Sequence, residues 1–205
     1  VSPDLAERAR GLGTARVELA VIPAPVPHPS SEPTSSGSTA PEDVWPQEGA
    51  RILTVARLAP QKGLSLLLDV AAALSLEAEA AERIAAEHLP VTLLGRRTDV
   101  PSLMEAADAV VQTSLWEGQP LTIQEALRAG AAIVATDVGG TAVTARGGAV
   151  LVVPEAQAIA GALTTLLTDP EAGSRARLSA REAAGLLPGP EDLAAQLRQV
   201  VLAQD

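Results

Sequence analysis

The chain has no cysteine, no phenylalanine and no tyrosine, and only one methionine, one lysine, two histidines and two tryptophans among 205 residues. Without cysteine there is no disulfide framework, no thiolate metal site and no cysteine nucleophile, which is compatible with a reducing compartment; a cytoplasmic location is expected. His28 and His88 lie far apart in sequence, so no metal site is expected. With aromatics almost absent, the core has to be built from Val, Leu, Ile and much Ala, which bury less area each. A formal net charge of −10 argues against a nucleic-acid groove or a broad membrane-binding face, since either needs clustered Lys and Arg. No apolar stretch approaches the ~20 residues that span a bilayer. The opening Val1-Ser2-Pro3 carries neither an initiator Met nor a signal peptide and reads as a fragment or processed product.

What is present is an alternation. Residues 1–22 read as a short helix, Pro3 to Leu12, and a strand, Val17 to Ile22. Residues 23–49 read as a flexible linker, rich in Pro, Ser, Thr and Gly with no apolar period. Residues 50–205 form the main domain. Strands are expected at Ile52 to Ala56, Val91 to Leu94, 109–112, Ala132 to Ala135 and Ala149 to Val152. Helices are expected from Leu64 onward, then at about 101–107, 121–129, 155–168, 171–185 and 191–203. Short apolar strands between amphipathic helices imply an α/β fold, a Rossmann-like, mostly parallel sheet with helices on both faces. One stretch departs from this: between Gly63 and Pro90 there is no Gly, Pro or strand-like run. It reads as ~25 residues of continuous helix, two helices fused where a strand would normally separate them.

Four segments carry chemistry. Glu117 and Glu125 stand eight residues apart in Trp116-Glu117-Gly118-Gln119-Pro120-Leu121-Thr122-Ile123-Gln124-Glu125. The spacing alone says little, because Glu79 and Glu87 share it on a plain charged helix. The context says more: Gly118 lets a backbone approach a ligand, Pro120 suits the first helical position, and Leu121, Ile123, Ala126 and Leu127 take a buried face. Both acids then lean toward whatever sits over the helix N-terminus, where a phosphate group with polyhydroxylated neighbours is the natural guest. In Arg57-Leu58-Ala59-Pro60-Gln61-Lys62-Gly63, a strand-to-helix loop, Arg57 and the only lysine are placed to grip a diphosphate, or are two solvated loop charges. In Gly95-Arg96-Arg97-Thr98-Asp99, the guanidinium groups contact a nucleotide or are surface charges beside Asp99, with the backbone near Gly95 as the alternative contact. Gly139-Gly140, after a strand, either presents backbone N–H groups to an anion or makes a tight turn. There is no Ser-His-Asp set, P-loop or Gly-x-Gly-x-x-Gly fingerprint.

Taken in order, Thr54 to Gly63, Asp99 to Asp108, Trp116 to Glu125 and Ala129-Gly130 through Gly139-Gly140 resemble the carboxyl-terminal, donor-binding domain of GT-B glycosyltransferases of the group 1, family 4 type. The resemblance covers about residues 51–170, and residues 1–8 look like the end of that family's amino-terminal domain. It implies that Arg57 and Lys62 bind the diphosphate of a nucleotide sugar and assist catalysis with Glu117. Gly95 and Arg96 would meet the nucleotide, and Glu125 the ribose hydroxyls. Glu117 with Gly118, Gln119, Pro120 and Leu121 would hold the donor sugar. Transfer would proceed with retention, without metal and with no cofactor beyond the donor, to an unknown acceptor held by a missing amino-terminal domain. Three departures stand out. Gln119 replaces a common aromatic residue, Val143 sits where a Glu often follows the Gly pair, and a strand expected between Leu74 and Glu77 is absent from the usual 3-2-1-4-5-6 order. Donor binding is therefore implied more directly than turnover, and two other readings stay open: a non-catalytic, degenerate α/β module, and a nucleotide-sugar epimerase-like enzyme.

Overall fold

The computed structural model describes residues 49–57, 59–74 and 94–202, together with 7, 10, 11, 22–24, 44 and 45. The elements in order are β1 (Ile52–Leu53), a 3-10 turn (Pro60–Lys62), α1 (Leu64–Leu74), α2 (Val100–Ala106), β2 (Ala109–Gln112), α3 (Leu121–Arg128) and β3 (Ile133–Thr136). Then come α4 (Thr141–Ala145), β4 (Val150–Val152), α5 (Ala156–Thr168), α6 (Pro170–Ala184) and α7 (Pro190–Leu202). The four strands are parallel and lie in the order β1-β2-β3-β4. That matches the 1-4-5-6 part of the usual order. The expected fused helix beyond Leu74 and most of the expected strand at Val91 to Leu94 lie outside the described residues; Leu94 is described and is not in a strand.

Side-chain alternation along these strands builds two cores, one on each face, as a buried parallel sheet requires. On one face Leu53, Val110, Ile133 and Ala135 meet Leu103 and Met104 of α2, Ile123 and Leu127 of α3, and Ala180 and Ala183 of α6. On the other, Ala109, Val111 and Val134 meet Val70 of α1 and Ile159, Leu163 and Leu166 of α5. Both cores are aliphatic, as composition requires; among the described residues Trp45 packs partly buried against the first, and Trp116 is exposed.

β1 is shorter than the expected Ile52 to Ala56, and the reason is local. Past Leu53 the link to β2 is made by a side chain, the Thr54 hydroxyl donating to the Val111 carbonyl at 3.1 Å. The short strand is pinned at its start. Asp108 accepts from the Arg51 amide (2.8 Å) and from its guanidinium (3.3 and 3.1 Å), while the Asp108 amide donates back to the Arg51 carbonyl at 2.7 Å. Partial burial pushes the Asp108 carboxyl up, but the hydrogen bonds and charge of Arg51 outweigh it and hold the carboxyl below its ordinary range. A depressed folded-state value means stability that is present above the unfolded-state pKa of about 3.9 and lost as pH falls through the folded one. Asp108→Asn is accordingly expected to lower the urea midpoint at neutral pH and to flatten its decline below about pH 4. An unchanged acid limb would show that this pair does not set it.

Candidate functional site

Three loops converge at the carboxyl ends of β1, β2 and β3, where open parallel sheets bind ligands. The first holds residues 54–63, the second 113–120, the third 137–140. Their fit depends on two glycines in left-handed backbone. A Cβ on Gly63 (φ 61°) would lie 2.0 Å from the Thr113 carbonyl oxygen, and one on Gly139 (φ 53°) would lie 2.1 Å from the Glu117 carbonyl oxygen. Close approach is followed by hydrogen bonding. The Leu115 amide donates to the Gln61 carbonyl (2.8 Å), Gln61 Nε2 to the Trp116 carbonyl (3.0 Å), and the Thr113 hydroxyl to the carbonyls of Lys62 and Gly63 (3.1 Å each). The Thr136 hydroxyl donates to the Ser114 carbonyl at 2.5 Å, and the Gly140 amide to the Glu117 carbonyl at 2.8 Å.

Glu117 is the hub. Its side chain is only 4% exposed as a residue, and Oε1 accepts from Lys62 Nζ at 2.5 Å and from Ser114 Oγ at 2.6 Å. Glu117 is therefore not a solvated surface charge. Two residues implied in donor binding, Lys62 and Glu117, form one ion pair between loops. An ammonium has three donors, so Lys62 keeps two for another anion while it holds the carboxylate. Glu125 lies one turn into α3, half-buried; burial raises its carboxyl above the ordinary range, and Arg128 opposes the rise. Pro120 precedes α3, which begins at Leu121, so Pro120 takes the cap position rather than the first helical one. Of the two readings of the Gly pair, the Gly140 amide supports the turn: it is used on the protein's own Glu117.

Arg57 is exposed on the first loop with no ion pair among the described residues, and Gly95 and Arg96 are exposed. Arg97 turns to Asp99, with its Nε 2.8 Å from Oδ1, and both side chains are largely buried, so this guanidinium is a structural ion pair and not a solvated surface charge. Gln119 has an occupation that sequence does not show. Its amide pairs with the backbone of Ile22 in both directions (3.1 and 2.9 Å), Gln124 bonds the Ile22 carbonyl and the Ala24 amide (2.9 Å each), and Arg128 Nη1 bonds the Ala24 carbonyl (2.9 Å). Pro23, between them, has no N–H to satisfy. Residues 23 and 24, read as linker, are thus clasped to α3, and Ala24 is 2% exposed. Ser114, Thr113 and Gln61 are the site residues missed in the sequence, since only their tertiary partners mark them. A groove of about 610 Å³ lined by Pro60, Leu64, Leu66, Leu115 and Pro154 opens beside the first loop and contains neither carboxylate. Among the described residues no three His, Asp or Glu side chains gather as metal ligands.

The sequence family described as "Glycosyl transferases group 1" matches residues 49–169. The lipopolysaccharide core biosynthesis mannosyltransferase LpsB of Rhizobium meliloti (strain 1021) is 32% identical over 120 residues, 55% of this chain and 33% of that protein. The sucrose-phosphate synthase of Thermosynechococcus elongatus has the same fold, with a TM-score of 0.63 at 24% identity over 80% of this chain and 47% of that one. Anabaena Alr3699/HepE, solved in complex with UDP-glucose, aligns with a TM-score of 0.58 and 26% identity over 75% of this chain and 48% of that one. The chain spans about a third of the mannosyltransferase's length and about half that of the two solved proteins.

Proposed function

The chain belongs to the group 1 glycosyl transferases, and from that premise we propose that it is the donor-binding part of a retaining enzyme that transfers a sugar from a nucleotide-diphosphate sugar. The observation that carries the reading is the buried Lys62–Glu117 pair at the meeting of three loops, at the N-terminal end of α3. Such a site offers a cation for the leaving diphosphate and a carboxylate for sugar hydroxyls within one hydrogen bond of each other. Lys62 and Arg57 take the diphosphate, and the N-terminal end of α3 adds positive potential, so the protein itself neutralises the departing charge. Glu117, held by Ser114, orients the donor sugar with the backbone of Gly118 to Leu121. Glu125 accepts from the ribose hydroxyls, while Gly95 and Arg96 meet the nucleotide. An amino-terminal domain supplies the acceptor site. The reading includes a cytoplasmic location, in keeping with the lack of cysteine; among the described residues no helix is long and apolar enough to cross a membrane.

Isothermal titration with uridine, guanosine and adenosine diphosphates and their sugar conjugates tests the reading, and no binding at millimolar ligand would sink it. Retention has its own test, because NMR of the product formed by this chain together with its acceptor domain would overturn the assignment if the anomer were inverted. Glu125→Gln separates role from stability. Its raised folded-state pKa means the folded chain binds the proton more tightly, so the associated stability is present below the unfolded-state value and lost as pH rises through the folded one. A neutral amide is therefore expected to raise the thermal midpoint at pH 7 slightly while weakening nucleotide binding about tenfold. Unchanged affinity would remove Glu125 from the site.

A further inference from the structure

Gln112 ends β2 and is 7% exposed, yet its Nε2 is buried and has no hydrogen-bond partner among the described residues. A polar group left unpaired away from water is rare in native chains and is strongly unfavourable. An aliphatic residue, as at Val110 and Val111 before it, would fill a strand interior without that cost. Its place in the fold points to a reason. Alternation puts Gln112 on the face of Val110, the face that also takes Val55, Leu94 and α3. It lies at the carboxyl end of the strand, in register with Ala135, and directly before Thr113 and Ser114, which hold Gly63 and Glu117. Lys62 leads into α1, whose Val70 packs on the opposite face. The orphan amide thus lies on the face of the sheet that α3, Val55 and Leu94 cover, at the strand end from which the Glu117 loop leaves.

We infer that Gln112 is a further donor-binding residue, whose Nε2 donates a hydrogen bond to an acceptor oxygen of the bound nucleoside, a ribose hydroxyl or a base carbonyl. The inference rests on the reading of this edge as a nucleotide-sugar site. The terminal torsion of a glutamine is broad, so the amide can turn its Nε2 to the small edge of the residue that stays exposed. Satisfying a buried donor that is otherwise orphaned rewards a ligand that brings an oxygen and penalises one that does not.

Gln112→Met, close in volume and without a polar hydrogen, is the test. It is expected to raise the thermal midpoint of the ligand-free chain, because the orphan is gone. The same change is expected to weaken binding of the nucleoside diphosphate about tenfold, and of its sugar conjugate by the same factor, since the lost contact is to the nucleoside. A stabilised variant with unchanged affinity overturns the inference, as does a loss confined to the sugar conjugate. If wild type binds no nucleotide diphosphate, the proposed function falls, and this inference with it; if wild type binds and Gln112→Met binds equally, only the inference falls. Gln112→Leu provides the same comparison in a second side chain should the methionine variant fold poorly.

Discussion

Lys62→Met is expected to weaken nucleotide-diphosphate binding by about two orders of magnitude and to destabilise the ligand-free chain by about 3–5 kcal/mol. Both effects come from one observation. Glu117 is almost fully buried and takes its charge compensation from Lys62 Nζ at 2.5 Å, with Ser114 Oγ as the only other bond described to that carboxylate. Removing the ammonium leaves a carboxylate withdrawn from water with no cation, the condition under which breaking a buried pair is most costly. Methionine keeps most of the aliphatic stem, so lost packing contributes little. The double variant Lys62→Met, Glu117→Gln removes the stranded charge. It should recover most of the stability and none of the affinity. Urea unfolding gives the first quantity and titration calorimetry the second. If the single and double variants were equally stable, the pair would contribute no coupling and its placement at the centre of the site would be wrong.

Gly139→Ala is the second change with a large expected effect. Its backbone is left-handed, which costs an alanine roughly 1–2 kcal/mol, and the new Cβ would sit 2.1 Å from the Glu117 carbonyl oxygen. The obstacle is backbone on both sides, so neither side chain can rotate away. The third loop must retreat, breaking the bond from the Gly140 amide to the same carbonyl. A loss of at least about 3 kcal/mol is expected, together with weakened donor binding, because the displaced residue is Glu117 itself. Gly161→Ala is the control. Gly161 lies in α5 with nothing within 4 Å of its would-be Cβ. There alanine should stabilise by about 0.5–1 kcal/mol through helix propensity. Equal stabilities for the two variants, read by urea unfolding, would contradict the close approach.

Much of the architecture was legible because it follows from period. Val110 and Val111, or Ile133 and Val134, are apolar on both faces of a strand, and that pattern means a sheet covered on both sides wherever it occurs. Helix α6, expected at about 171–185, runs from Pro170 to Ala184, and the structure adds its cap: Asp169 Oδ1 accepts from the Glu171 and Ala172 amides, at 2.9 and 3.2 Å. Shorter elements were not legible. The 3-10 turn at Pro60–Lys62 and α4 at Thr141–Ala145 are too brief to show a period, and each is held by contacts to loops distant in sequence.

The site divides in the same way. Sequence by itself determined the fold class, the strand-end loops, and the candidates Arg57, Lys62, Glu117 and Glu125, because residue type and order along the chain carry that information. Only the tertiary structure decided which of them meet. Lys62 and Glu117 are 55 residues apart and share one hydrogen bond. Gln119, 97 residues from Ile22, uses its side chain on the strap of residues 22–24, and Gln112 Nε2 is left without a partner among the described residues. The physical reason is that hydrogen bonding and burial depend on distance in space. A sequence pattern reports a residue's face and loop, while its partners are set by how separate loops close on one another, here through two glycines that admit backbone where any side chain would stand.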